Sequence, residues 1–529
     1  MKIKNKKLTF HPVTTYIILI VGLILLSAIL SLFNTSGTYS SINVATNELE
    51  KNIVEVKNML SYSGFKSIIS NAATNFISFT TLSTLIITLM GLGIAEVTGL
   101  IQTFLKRRLI KVNPKLITFI IFLIAVFSSI VNEVGYAILI PLGALLFLFN
   151  GRNPLAGIAT SFAGVAFGYS ISFFVGSVDI DLITHTTRAA KLIDPTFYTR
   201  MTSNLFIMII TSIILAIVGT IITEKVIVKR LGRYISKTTD ELGKTQDIEY
   251  LDLQYEEQKK IREEEQEKKG LKYARISALV IIVLFIYSLI PGLPLSGMLL
   301  DKTQVAYVDQ LFGANSYFQD GFTYLVAIFF IVTGIAYGIG AKTIKSDKDL
   351  INKLGKKLSS LGMILVMIFF AAQFIAIFKE TNIGTVIVIW ITNLLKALPL
   401  SGIFLIIIAT ILIAIANIFV PGSVAKWTII SPVLVPMMMQ QNMSPEYSQF
   451  IFRAGESMTN GITPLLAYFV VFIAYLNIYN RDEKTSFSIR KGISLMVPYF
   501  IALAITWLFI VIIWYIMGLP LGPGVYTTL

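Results

Sequence analysis

The chain contains no cysteine and only two histidines, His11 and His185. Without thiols there is no disulfide, no thiolate metal site and no cysteine nucleophile, and two imidazoles are too few for a histidine-rich metal site. Charge is scarce as well. Asp, Glu, Lys and Arg make up 14% of the 529 residues, against about 25% in a soluble protein. No nucleotide-binding motif and no nucleophile–base pair stands out, which disfavours ATP-driven transport and enzymatic chemistry.

What the chain has instead is apolar length. Hydrophobic residues make up 55% of it, in recurring runs of about 18 or more, enough to cross a hydrocarbon core of about 30 Å. This is the pattern of an all-α polytopic membrane protein forming one transmembrane domain, residues 1–529. The net charge of +14 sits in short loops between the runs, which fits the positive-inside rule and argues against nucleic acid as a partner. Lys2, Lys4, Lys6 and Lys7 place the N-terminus in the cytoplasm, and charge bias along the chain leaves the C-terminus outside. The first run, Thr14–Phe33, is too long for a signal peptide and lacks a small-residue cleavage site, so it reads as a retained span. The stretch NELEKNIVEVKNML after it reads as a short amphipathic helix outside, and the charged segment at about 228–273 as a solvated cytoplasmic helix.

Two regions break the pattern. In the first, about 116–180, apolar runs are interrupted at Asn132-Glu133-Val134-Gly135 and fade toward Asp179. In the second, about 402–478, breaks fall at Pro421-Gly422-Ser423 and at Asn460-Gly461-Ile462-Thr463-Pro464. Residues 116–150 form either a pair of spans or a re-entrant hairpin. Shifting the chain by 291 places Tyr136 on Trp427, Pro141 on Pro432, Pro154 on Pro445 and Ala163-Gly164 on Ala454-Gly455. Charge bias gives the two units opposite orientation. An inverted repeat with breaks at matching positions points to a transporter's midplane site.

Polar residues at membrane depth mark solute or ion paths. In the first unit these are Asn132, Glu133 and Asp179; in the second, Asn417, Ser423, Arg453, Glu456 and Asn460. Arg453 suits a two-toothed bond to a carboxylate or sulfonyl group, or pairs with Glu456 three residues on. A carboxylate at membrane depth suits proton carriage. Glu133 also reads as a helix cap, Asp179 as a loop residue just outside, and Glu96 as facing water. Tyr136 and Trp427 read first as interfacial anchors.

The runs NEVGYAILIPLGALLFLFNGRNPLAGIATSFAGVAFGYSISFFVGSVD and SVAKWTIISPVLVPMMM…SPEYSQFIFRAGESMTNGITPL, with GLGIAEVTGL, resemble the p-aminobenzoyl-glutamate transporter (AbgT) family. The resemblance implies a homodimeric bacterial inner-membrane secondary transporter without cofactors, with about nine spanning helices, two re-entrant hairpins and a basin open to the cytoplasm. It implies uptake of p-aminobenzoyl-glutamate or export of sulfonamide antimetabolites, driven by a proton or sodium gradient, and carries functional roles onto Asp179, Trp427, Pro445, Arg453 and Pro464. The family's usual serine before AKW is Val424 here, with Ser423 one place earlier; its usual aspartates are Glu456 and Glu133. The expectation is an ion-coupled carrier of small aromatic anions, exporting sulfonamide-like compounds in preference to importing p-aminobenzoyl-glutamate. A coupling sodium would sit near Asn132, Asp179, Asn417 and Asn460.

Overall fold

The computed structural model describes residues 10–109, 112–131, 134–169, 171, 176–234, 250–313, 315–480 and 486–529. Asn132 and Glu133 lie outside the described residues. Helix α1 (Pro12–Leu32) starts on a proline at its first turn, with the His11 side chain accepting from the amide of Val13. The next segment is a β-hairpin, β1 (Ser36–Ile42) and β2 (Leu49–Glu55), not the helix expected from NELEKNIVEVKNML. Turn chemistry decides this. The Asn43 side chain accepts from the amides of Ala45 and Thr46, and Asn47 takes a left-handed φ of 56°, so the chain reverses before a helix can start.

Helices α2 (Tyr62–Ile77), α3 (Thr80–Val97), α4 (Leu100–Leu109), α5 (Pro114–Phe127), α6 (Val134–Phe149), α7 (Pro154–Phe167), α8 (Ser177–Ala190) and α9 (Leu205–Ile222) follow. A π-helical segment, Thr223–Ile227, and the short α10 (Val228–Leu231) extend α9. Helix α11 (Tyr250–Leu289) joins the charged segment and the following span in one rod. Within it Glu267 pairs with Arg107 of α4 at 2.9 Å, a half-exposed bridge worth under about 1 kcal/mol. Glu96 is likewise engaged, by Lys357 at 2.5 Å. Then come α12 (Tyr307–Phe312), α13 (Tyr317–Gly340), α14 (Asp347–Leu358), α15 (Gly362–Glu380), α16 (Ile383–Ala397), α17 (Gly402–Phe419), α18 (Ser423–Met439), α19 (Pro445–Thr459), α20 (Phe469–Ile478) and α21 (Ile489–Met517). Helix α16 lies on the hairpin, Trp390 Nε1 donating to the carbonyl of Ser36 at 2.9 Å and Asn393 Nδ2 to that of Thr38 at 3.0 Å.

Among the described residues, eight helices or helix runs are long and apolar enough to cross a membrane, and six shorter apolar helices accompany them. Five of those six belong to the two repeated regions: α5, α6 and α7 in one, α18 and α20 in the other. Helix α17, an arm of the second hairpin, reaches spanning length at 18 residues.

The 291-residue repeat is present as structure. Pro141 and Pro432 both lie inside returning helices, α6 and α18. Pro154 and Pro445 each open the next helix behind a side-chain cap, Asn153 and Ser444 respectively. Gly164 and Gly455 serve one purpose. A Cβ on Gly164 would lie 3.1 Å from the carbonyl oxygen of Phe122 on α5, and a Cβ on Gly455 2.8 Å from Cβ of Ile413 on α17. Phe122 and Ile413 are themselves 291 apart. The same close crossing thus recurs in both halves, and every residue of α7 and α19 is buried.

The breaks meet at the centre. Ser457 donates to the carbonyl of Tyr169 just past α7, and a Cβ on Gly461 would press within 2.4 Å of the Phe167 ring. Beyond the breaks the halves exchange contacts: α18 packs along α8, and α6 touches α20.

Candidate functional site

The site grows from the unwound ends of α17, α18 and α8, converging on α19. At the second hairpin's tip, α17 ends at Phe419 and α18 begins at Ser423, leaving a short non-helical link at Val420–Gly422. Ser423 opens α18 and donates to Glu456 Oε1 at 2.6 Å. One turn later Lys426, 0% exposed, reaches the same Oε1 at 3.2 Å and bonds Asn417 Oδ1. Asn417 Nδ2 donates to the carbonyl of Glu456 at 2.8 Å, to Thr459 Oγ1 at 3.1 Å and to Asn460 Oδ1 at 2.8 Å. Asn460 lies where α19 gives way to a single 3-10 turn, and Pro464 follows in the break before α20. Glu456 Oε2, also buried, has no hydrogen-bond partner among the described residues.

Arg453 sits one turn before Glu456 on α19, and the two do not pair. Arg453 Nη2 instead forms an ion pair with Asp179 Oδ1 across the halves. Asp179 is buried in the first turn of α8, where its Oδ2 accepts from the amide of Gly176 at 2.6 Å. It is therefore not a loop residue. Carboxylates favour a helix N-terminus because the unpaired amides there carry partial positive charge. Trp427 is buried and donates to the carbonyl of Leu182 at 3.2 Å and to Thr186 Oγ1 at 3.0 Å, both on α8. Tyr136, its counterpart at the 291 offset, is buried too and stacks on Tyr468 at 5.0 Å, next to α20. Neither aromatic is an interfacial anchor. Each holds the broken helix of the opposite half.

The structure places Asp179, Ser423, Asn417, Trp427, Arg453, Glu456 and Asn460 on the facing segments of α8, α17, α18 and α19, with Pro445 opening α19 and Pro464 in its break. Arg453 takes Asp179 rather than Glu456, the local partner its spacing offered beside a solute, and Lys426 is a further member of the cluster. The signal was present: a lysine inside the AKW motif, surrounded by apolar residues. Its carboxylate partner is 30 residues away on another helix, which no local spacing rule reveals. The two halves contribute unequally to the site. The positions opposite Lys426, Arg453 and Glu456 are Gly135, Phe162 and Val165, and Phe162 stacks on Phe472 at 4.2 Å.

On the far face of α8, Ile180, Thr184, Thr187, Arg188 and Lys191 line an open cavity of about 660 Å³ with Tyr198 and Met201. That volume accommodates a small organic ligand. Helix α8 therefore has one face held by α18 and α19 and another facing space.

A profile of the AbgT putative transporter family matches residues 4–529. The chain is 30% identical over 519 residues to the p-aminobenzoyl-glutamate transport protein of Escherichia coli (strain K12), covering 98% of this chain and 94% of that one. It is similar to the Alcanivorax borkumensis YdaH transporter, whose crystal structure reveals an unusual topology, at 27% identity over 97% of this chain and 100% of that one, with a TM-score of 0.47. It is also similar to Neisseria gonorrhoeae MtrF, which illuminates a class of antimetabolite efflux pumps, at 32% identity over 98% of each chain and a TM-score of 0.48. The full-length profile match and the near-complete curated relative show that the chain belongs to the AbgT family and is a multi-pass membrane transporter, not an enzyme.

Proposed function

We propose that this protein is an ion-coupled secondary transporter of small aromatic, anionic, folate-related compounds in a bacterial inner membrane, working as a homodimer. The observation that carries the reading is the buried Arg453–Asp179 pair joining the two halves. A guanidinium suits planar two-toothed binding of a carboxylate, but here a carboxylate of the protein already holds it. Protonating Asp179 neutralises that competitor, so that the solute's negative group can contend for Arg453. Proton and anion then bind together, which is co-transport and favours uptake of compounds like p-aminobenzoyl-glutamate. The 30% identity to a p-aminobenzoyl-glutamate transport protein supports this class of solute.

Export is the second reading, and the same pair supports it for a different solute. An arylamine that donates to Asp179, as a sulfonamide drug can, competes with the proton, and competition for one site is exchange. Residues Arg188 and Lys191 in the cavity beyond α8 give anions a favourable approach. Helix α8 would be the element that moves.

The test is flux in proteoliposomes. Labelled p-aminobenzoyl-glutamate, p-aminobenzoate and a sulfonamide are offered under separately imposed proton and sodium gradients. Acid outside should drive accumulation of the anion, and the Asp179→Asn variant should lose that pH-driven accumulation. Retained accumulation in Asp179→Asn would remove Asp179 from coupling. Absence of counterflow against unlabelled solute would indicate a channel.

A further inference from the structure

The oxygens that the sequence offered to a sodium ion in the second half are not open. Asn417 Oδ1 faces the ammonium of Lys426, and Asn460 Oδ1 is taken by the Asn417 amide; Glu456 Oε1, beside them, faces the same ammonium. The ammonium is completely buried, and the phenyl ring of Phe452 lies beneath it at 5.9 Å. A tip between two half-helices ends in carbonyls and side-chain oxygens, which is where a carrier of this architecture would hold a cation. Here the cation is covalently attached to the chain.

We propose that Lys426 is a resident counter-ion that occupies the cation position of the second half, so that no sodium binds there. The proposal deepens the transport reading and rests on it, since it excludes one coupling ion from one half of the carrier. The charge balance is complete. One ammonium faces one carboxylate, with Asn417, Ser423 and Phe452 filling the remaining directions. A sodium added beside Lys426 would bring a second positive charge into a buried site with a single acid. Like charges within a few ångströms in a low-dielectric interior repel strongly. Glu456 Oε2 offers the one oxygen of the cluster without a partner among the described residues, and it can serve a replacement cation only once the ammonium is gone. The first half shows the converse. Gly135 stands opposite Lys426, so that half carries no built-in cation at the matching position.

Two changes follow from removing the ammonium. Lys426→Ala leaves Asn417 Oδ1, both Glu456 oxygens and Ser423 Oγ around a vacated volume with net negative charge, which is a monovalent cation site. Lys426→Met keeps the volume filled and leaves none.

The experiment measures 22Na+ binding to purified full-length protein, together with thermal stability in sodium against choline. No transport is needed, so a failure of the carrier reading and a failure of this one are separable. Lys426→Ala should bind about one sodium more than wild type and be stabilised by sodium and methylammonium but not by choline. The additional equivalent should vanish in Lys426→Ala/Glu456→Gln and be missing in Lys426→Met. A folded Lys426→Ala that binds no more sodium than wild type overturns the proposal. Should Lys426→Ala fail to fold, wild-type crystals soaked in thallous ion decide it. An anomalous peak at Asn417 Oδ1 and Glu456 refutes the resident counter-ion, and an empty position there upholds it.

Discussion

The Lys426–Glu456 pair permits a quantitative test of what holds the second hairpin to α19. Both side chains are 0% exposed, so the pair sits at the low-dielectric limit, where losing one partner costs most. Removing either charge alone leaves the other buried without its counter-ion, at about 3–5 kcal/mol. Asn417 and Ser423 soften the cost but do not supply charge. Replacing both members, Lys426→Met with Glu456→Gln, removes the two charges together, and such replacements are often close to neutral. The double variant should therefore be far less destabilised than the sum of the singles, about 6–10 kcal/mol, with a coupling of at least about 3 kcal/mol. Equilibrium unfolding in mixed detergent micelles, with the four proteins compared at one pH, gives each corner of the cycle. Additivity within about 0.5 kcal/mol would refute the reasoning, because it would mean that the charges do not share a field.

Three further outcomes are expected. Arg453→Ala should raise the half-saturating concentration of an anionic solute by about 10–100-fold, the loss of a charge-assisted bond of about 1.5–3 kcal/mol, while the protein still reaches the membrane; unchanged flux would remove Arg453 from the site. Gly164→Ala and Gly455→Ala should each cost about 1–3 kcal/mol by overpacking, whereas Gly362→Ala, whose Cβ meets open space, should stay within about 0.5 kcal/mol; unfolding of all three reports the contrast. Arg107→Ala should shift stability by under about 1 kcal/mol, and the shift should shrink as salt rises.

The sequence made the long apolar helices legible because hydrocarbon thickness sets their length. It made the repeat legible because proline and glycine are tied to backbone geometry: Pro154 and Pro445 need a helix start, and Gly164 and Gly455 need a close crossing. Three things were hidden. The hairpin at 36–55 carries leucine and isoleucine at a spacing that also fits a helix, and the asparagine turn that overrules it is a matter of hydrogen bonds between neighbours. Helix α11 was divided in reading because solvation changes along it, although the backbone does not. The pairing of Arg453 with Asp179 and of Lys426 with Glu456 depends on which helices cross, whereas a spacing of three residues offered Glu456 as one partner for Arg453 and a solute as the other. Packing across the halves decided otherwise.

The Arg453–Asp179 pair also sets a schedule for assembly. Its members are 274 residues apart in the chain, and a chain grows at about 5–20 residues per second. For about 14–55 seconds after Asp179 is synthesised, its arginine does not yet exist. The amide of Gly176, 2.6 Å from the carboxylate, is only three residues away and arrives with it. The turn that opens α8 thus shelters the acid during synthesis, before the second half arrives to claim it.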